Sequence, residues 1–370
     1  MTVPQRPVGF YVHYHGQGHR NRTIAIVNQL LAAQPETPRP VTILASRMEG
    51  LDWPRNVTHV VELACDVDGV PEAGRRRAED VPSLHFAPLH TATIRRRVHQ
   101  MAEWFDRANP AAVVVDVSSE VTQLARLASV PTLVMRQHGD RRDPAHEMAY
   151  HAADRLLAPF PASLEDEITP NWVREKTTYA AGFCRYTEPA LPREQARSQL
   201  EWDTPHVVVM SGRGGDGSNL AQIAAAATAT PGVTWVVVGM TNRDDASLPS
   251  NVRVPGWIDD PLTYLAAADV VVSAGGHNSV MELAHARARA VIIPEPRPFE
   301  EQVRKAAVLE REQLALTRDA WPQSDAWPAL IEEAASLDGS RWERITEGNG
   351  AATLAQAIEA VAHRSELVVA

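Results

Sequence analysis

At 370 residues, the chain exceeds one ordinary core and suits two domains of about 150–200 residues each. Its 44% hydrophobic and 22% charged content describes a soluble globular protein, and no run reaches the ~20 apolar residues of a membrane span. A net charge of −10 with no basic excess over either half argues against a nucleic-acid partner, and two distant cysteines, Cys65 and Cys184, leave out a disulfide framework or a cysteine zinc site. Met1–Pro7 lead straight into a strand pattern without a signal-peptide layout, so a cytoplasmic location is expected.

Short β-branched runs alternate with longer helical patterns. Val8–Tyr14 reads as a strand, followed by a helix over Asn21–Ala33. Val41–Ala45 and Thr58–Leu63 are further strands. Ala112–Asp116 reads as a strand buried on both faces, followed by a helix at Glu120–Ala128 and a strand at Thr132–Met135. The pattern then restarts. His206–Met210, Thr234–Val238, Val252–Val254, Asp269–Val272 and Val291–Ile293 read as strands. Helices are expected at Ser218–Ala227, Leu262–Ala268, Asn278–Arg289, Glu300–Glu312 and Thr353–Arg364. Near-continuous apolar strands alternating with helices predict parallel, doubly wound sheets in an α/β protein. The expected division is a first domain over 1–180, a hinge over 181–204, a second domain over 205–350 and a final helix, 351–370, crossing back to the first.

Charge is divided unevenly. Residues 1–165 hold 18 Arg and no Lys against 18 acids, so the acidic excess lies in the second half. Arg75–Arg77, Arg95–Arg97, Arg136, Arg141 and Arg142 form local clusters, read as solvated faces or as an anionic-substrate or membrane-surface patch.

Each half opens on glycines between a strand and a helix: Gly16 and Gly18 before His19, and Gly212, Arg213, Gly214 and Gly215 in the second half. Glycine permits the tight turn and a close ligand approach, and the helix N-terminus beyond favours anions. Neither loop fits a P-loop or a dinucleotide fingerprint. The strongest motif is Trp257-Ile258-Asp259-Asp260 followed by a strand that ends in Gly275, Gly276, His277, Asn278 and Ser279, with Glu282 one turn into the next helix. Asn278 and Ser279 can cap that helix or meet a phosphate, and a carboxylate at Glu282 suits a pair of ribose hydroxyls. Glu301 and Gln302 close the next strand at another helix start.

These words resemble the donor-binding half of nucleotide-sugar-dependent inverting glycosyltransferases with the GT-B fold, and are similar above all to the family that makes lipid II. The likeness is good over Val207–Arg311 and moderate over the first 30 residues. It implies two Rossmann-like domains facing across a cleft, the first for the acceptor and the second for the donor. It further implies that Ile258 holds the base through its main chain with Trp257 beside it. Gly276, Asn278 and Ser279 would meet the diphosphate, with Gly212, Gly214 and Gly215 as a glycine loop near it. Glu282 would hold the ribose, Glu301 and Gln302 the sugar, and Arg213, Gly275 and His277 would belong to the same donor site. His19 matches the histidine of the family's first glycine loop.

An inverting transfer needs a base for the acceptor hydroxyl, and histidine is the common one. His19 is the expected base, with Asp116, at the end of its strand, as its partner. His13 reads as a packed core residue. No metal spacing stands out, and Asp66-Val67-Asp68 lies in a loop of the first half, so a metal-independent enzyme without a cofactor is expected. The expected reaction moves a sugar from a UDP-sugar or another nucleotide sugar to a hydroxyl. The acceptor is left open between a lipid-linked molecule, reached by peripheral contact with the inner membrane face, and a small metabolite. The alternatives are a nucleotide-sugar hydrolase, which Gly16–Arg22 also resembles, and a UDP-sugar 2-epimerase.

Overall fold

A computed structural model describes residues 5–14, 17–48, 52–186, 188–210, 219–240 and 248–369. The chain forms two units. Unit 1 comprises Met1–Phe160, Ile168–Ala180 and Asn349–Ala370, and unit 2 comprises Pro161–Glu167 and Ala181–Gly348.

In chain order, unit 1 begins with β1 (Val8–Val12), α1 (Gln17–Ala33), β2 (Val41–Ala45), β3 (Val57–Glu62), α2 (Glu72–Arg75) and α3 (Ala92–Ala108). It continues with β4 (Ala112–Asp116), α4 (Ser119–Leu127), β5 (Thr132–Met135), α5 (Pro144–Ala152), β6 (Arg155–Ala158), α6 (Asn171–Lys176) and β7 (Thr177–Tyr179). Unit 2 carries α7 (Arg193–Gln199), β8 (His206–Met210), α8 (Leu220–Ala229), β9 (Thr234–Val238), β10 (Val252–Gly256), α9 (Leu262–Ala267) and β11 (Val270–Ser273). It then runs through α10 (His277–His285), β12 (Ala290–Ile292), α11 (Glu301–Arg311), β13 (Ala315–Thr317), α12 (Trp327–Ala335) and α13 (Glu343–Thr346). The last helix, α14 (Gly350–Val369), returns to unit 1.

Both sheets are parallel at every pairing among the described residues. Their orders are β3-β2-β1-β4-β5-β6-β7 and β10-β9-β8-β11-β12-β13. Each therefore winds outward in both directions from a central pair, β1/β4 and β8/β11, the doubly wound pattern the alternating sequence predicts. At such a switch point the two chain connections diverge, which opens a crevice at the carboxyl ends of the strands.

β1, β4 and β11 are buried throughout, and β8 at all but its last residue, which the apolar runs Val113–Val115, Val207–Val209 and Val270–Val272 fit. Gly9, on β1, has a packing role: a Cβ there would stand 2.6 Å from the Trp104 ring of α3. In unit 2 the fully buried Trp235 and Trp327 meet edge to face at 5.0 Å, with Trp321 tilted against Trp327 at 4.8 Å. Arg97 departs from the solvated reading of Arg95–Arg97. Helical spacing turns it inward, where it donates to Ser46 Oγ and to the Ala64 carbonyl, while Arg95 and Arg96 stay exposed. The residues of the Asp66–Asp68 loop are engaged by arginines too: Arg47 pairs with Asp68 at 2.9 Å, and Arg97 lies 3.7 Å from Asp66.

α14 packs on α1 and β4. Its acids clamp the buried Arg39, which donates to Glu359 at 2.8 Å and to Glu366 at 2.9 Å, while Glu366 also takes the Arg6 N–H. Among the described residues no helix is long and apolar enough to cross a membrane.

Candidate active site

His19 lies in the first turn of α1, directly after β1, and Asp116 is the last residue of β4, the strand paired beside β1. The switch point of unit 1 thus brings together two residues 97 positions apart. His19 Nδ1 is 3.0 Å from Asp116 Oδ2. Arg22 Nη2 stands at the same 3.0 Å from Nδ1 but lies nearer both Asp116 oxygens. With its N–H groups directed at the carboxylate, Nδ1 donates to Asp116 and Nε2 keeps its lone pair. Arg22, one helical turn after His19, donates through Nη2 to both Asp116 oxygens at 2.7 and 2.8 Å. Asp116 and Arg22 are each 3% exposed, so the pair is fixed in a dry setting. Burial alone would push the Asp116 carboxyl up, but Arg22 and His19 beside it hold it far below the usual carboxylate range. Asp116 is therefore a carboxylate at neutral pH. Val117, immediately behind it, is left-handed at φ 65, an unfavourable state for a β-branched residue and a mark of a turn held in place by its surroundings.

His13 is not the packed core residue its strand position suggests. It is half-buried at the carboxyl end of β1, stacked on Tyr14 at 4.9 Å and 5.5 Å from the His19 ring. Gly18 opens α1 beside His19. Gly16 lies outside the described residues, as do Gly212, Arg213, Gly214 and Gly215.

In unit 2, β11 runs out into Gly275 and Gly276, and α10 begins at His277. Gly275 adopts φ 80, which favours glycine, and this sharp turn starts the helix right at the sheet edge. Among the described residues no side chain caps α10, and its first turn holds no acid. α10 thus begins with His277, Asn278 and Ser279 at a helix N-terminus adjoining the β8/β11 switch point, a setting that favours an anion. Glu282 follows on the same helix and is 8% exposed. Its Oε1 accepts from Arg185 Nε at 2.9 Å, and burial pushes its carboxyl up against the opposing pull of Arg185.

Arg185 belongs to a short segment that ties two loops together. Gly182, at φ 67, makes the turn that leads into it, where a Cβ would collide with the carbonyls of Thr346 and Gly348. Arg185 Nη2 donates to the Tyr186 hydroxyl, which donates to Asp260 Oδ1 at 2.8 Å, and the Tyr186 ring stacks on His285 of α10. Burial and the Asp260 bond push the Tyr186 phenol well above its ordinary range. Trp257 and Ile258 follow β10; Trp257 is 42% exposed, and its indole N–H donates to Asp259 at 2.7 Å.

Glu301 and Gln302 start α11 behind a loop in which Phe299 and Glu300 are both left-handed, at φ 59 and 56. Gln302 is buried and its Oε1 accepts the Glu295 N–H at 2.8 Å, so it braces this loop. Glu301 lies 3.8 Å from the buried Lys305. Arg22 and Arg185 escaped the sequence reading as site residues. Arg22 carried a signal, since its spacing of three from His19 places both on one helix face. Arg185 carried none, because its partner Glu282 is 97 residues away.

Residues 239–322 match the family model described as the glycosyltransferase family 28 C-terminal domain. An uncharacterized glycosyltransferase of Methanosarcina mazei is 22% identical over 330 residues, 80% of this chain and 81% of its own. The UDP-N-acetylglucosamine–N-acetylmuramyl-(pentapeptide) pyrophosphoryl-undecaprenol N-acetylglucosamine transferase of Rubrobacter xylanophilus is 29% identical over 67% of this chain and 73% of its own. A Methanosarcina acetivorans relative, also an uncharacterized glycosyltransferase, aligns over only 30% of each chain, at 28% identity. The solved structure of Acinetobacter baumannii MurG superimposes with a TM-score of 0.66 over 96% of this chain and 100% of that one, at 16% identity. The chain is a GT-B glycosyltransferase. It is similar to the family that makes lipid II, and both of its Rossmann-like sheets fit that fold. The glycosyltransferase keeps its matched family segment in unit 2, from the end of β9 to Pro322, which includes α10.

Proposed function

We propose that this glycosyltransferase moves a sugar from a nucleoside diphosphate sugar, UDP-linked, to an acceptor hydroxyl with inversion at the anomeric carbon. The observation that carries the reading is the His19–Asp116–Arg22 array: a histidine whose Nδ1 lies 3.0 Å from a buried carboxylate that Arg22 holds ionised, the arrangement in which Nδ1 donates to Asp116 and Nε2 acts as the base. In the step, the acceptor O–H gives its proton to His19 Nε2 while its oxygen attacks the anomeric carbon. The bond from that carbon to the diphosphate oxygen breaks, and UDP leaves with the bonding electrons. Asp116 stabilises the imidazolium that forms and keeps its ring oriented. Arg22 keeps Asp116 ionised and in place.

Unit 2 supplies the donor side of the reading. The N–H groups at the start of α10 meet the growing charge on the leaving diphosphate, with Arg185 adding a cation beside Glu282. Such groups stabilise the leaving group without a divalent ion bridging the phosphates. Glu282 takes the ribose hydroxyls, Trp257 and Ile258 flank the base, and Glu301 orients the sugar, with Gln302 bracing its loop.

The test is turnover of UDP-sugars against a panel containing both lipid-linked saccharides and small hydroxylated metabolites, with the product anomer read by proton NMR. An inverted product, lost in His19→Ala with UDP affinity kept, is expected. A retained anomer, or undiminished transfer by His19→Ala, would overturn the mechanism. UDP release at the same rate without any acceptor would point to hydrolysis, and interconversion of sugars without UDP release to epimerisation.

A further inference from the structure

The carboxyl edge of the unit 1 sheet gathers a second set of titratable side chains, which the transfer reaction does not use. His85 lies in the connection between α2 and α3, Asp143 is the N-cap of α5, and His146 is one turn into that helix. Each places one donor atom within 4.8 Å of the others. His85 Nε2 is 2.8 Å from Asp143 Oδ1, and His146 Nδ1 is 2.5 Å from Asp143 Oδ2. The two imidazole rings stand 4.3 Å apart between centroids.

Their surroundings hold these groups in position. Ser119 Oγ lies 3.3 Å from His85 Nδ1, and Glu120 Oε1 accepts the His85 backbone N–H at 2.6 Å, which pins the loop to α4. Asp143 Oδ1 accepts the N–H groups of Ala145 and His146, so that oxygen is committed to the helix cap. Oδ2 is the carboxylate oxygen that faces His146. Two imidazole nitrogens and one carboxylate oxygen, on a half-buried, pre-positioned frame, are the donor set preferred by zinc and similar first-row ions. Partners that orient metal-binding imidazoles through the opposite ring nitrogen are a regular part of such sites.

We propose that His85 Nε2, His146 Nδ1 and Asp143 Oδ2 bind a zinc-class divalent ion, with water completing a four-coordinate shell. Binding requires a tautomer change in both rings. The His85 proton passes to Nδ1, where Ser119 Oγ accepts it. The His146 proton passes to Nε2, which now faces Arg141 Nη1 at 3.1 Å. Arg141 must therefore turn away, and its bonds to the His138 carbonyl and to Gln137 Oε1 give it an anchor when it does. Its positive charge also opposes a cation nearby. Arg141 thus sets the affinity of the site.

The inference is independent of sugar transfer, and its readout is metal binding. The tag-free, full-length protein, stripped with chelator and desalted, is titrated with Zn²⁺ against a chromogenic competitor, and with Co²⁺ by visible absorption. One equivalent of each ion is expected, with the intense bands of tetrahedral cobalt. His85→Ala and His146→Gln should each weaken binding at least ~10-fold, while His59→Ala, on an exposed edge strand, should not. Arg141→Gln should bind more tightly than wild type. Unfolding profiles of each variant identify any that fail to fold. No saturable 1:1 binding, binding that survives both histidine substitutions, or equal or weaker binding by Arg141→Gln would overturn the assignment.

Discussion

Arg22 acts on two residues: it donates to both oxygens of Asp116 and stands 3.0 Å from His19 Nδ1, and by holding Asp116 as a carboxylate it favours the His19 tautomer that donates from Nδ1. Asp116→Asn should keep the geometry, since an amide is nearly isosteric, yet lose the anchor for the imidazolium. A fall in kcat of about 10²–10⁴, with UDP affinity unchanged, is the expected kinetic result. The same carboxyl has a stability consequence. Its folded pKa lies below its unfolded value, so the stability it contributes is complete above the unfolded carboxylate range, about pH 4, and is lost as pH falls below that range. Acid unfolding monitored by circular dichroism should have a shallower pH dependence in Asp116→Asn than in wild type. At this scale, the His19–Asp116 pair was legible in the sequence, whereas the arginines that hold Asp116 and Glu282 were not. His19, Asp116 and Glu282 stand out by type and by position at strand ends and helix starts. Arg185, and the meeting of His85 with Asp143 and His146, depend on contacts between distant segments that local spacing does not encode.

At the scale of elements, α14 is held by charge as well as by packing. Glu359→Ala leaves the buried Arg39 short of a charged partner and should cost about 1–3 kcal/mol, read as a lower thermal midpoint. The Glu366 carboxyl, which Arg39 holds low despite its partial burial, should keep the remaining clamp intact at neutral pH. Trp327→Ala removes a fully buried indole from the unit 2 core and should cost about 3–5 kcal/mol, a larger effect than any surface change. The central strands were readable because burial on both faces demands continuous apolar runs. β6, β7 and β13 were not. Each has only three or four residues, and Thr177–Tyr179 is half-buried with no apolar run to mark it. α3 was passed over for a related reason: its triplet Arg95–Arg97 masks a buried Arg97 on an otherwise amphipathic helix.

For the molecule as a whole, the chain path matters as much as the two sheets. Unit 1 is completed only by the final 22 residues, Asn349–Ala370, so its stability depends on the terminus of the chain. A protein ending at residue 348 should show two separate unfolding transitions by calorimetry, the unit 1 transition lowered and that of unit 2 unmoved. In the proposed mechanism, unit 2 holds a uridine diphosphate through the N-terminus of α10 and Glu282. Calorimetric titration of the full chain and of Glu282→Ala with UDP, alongside dTDP, GDP and ADP and with and without Mg²⁺, tests it most directly. Saturable UDP binding that exceeds the other nucleotides, is indifferent to Mg²⁺ and weakens in Glu282→Ala is the expected result. No UDP binding, or binding that Glu282→Ala leaves untouched, would contradict it.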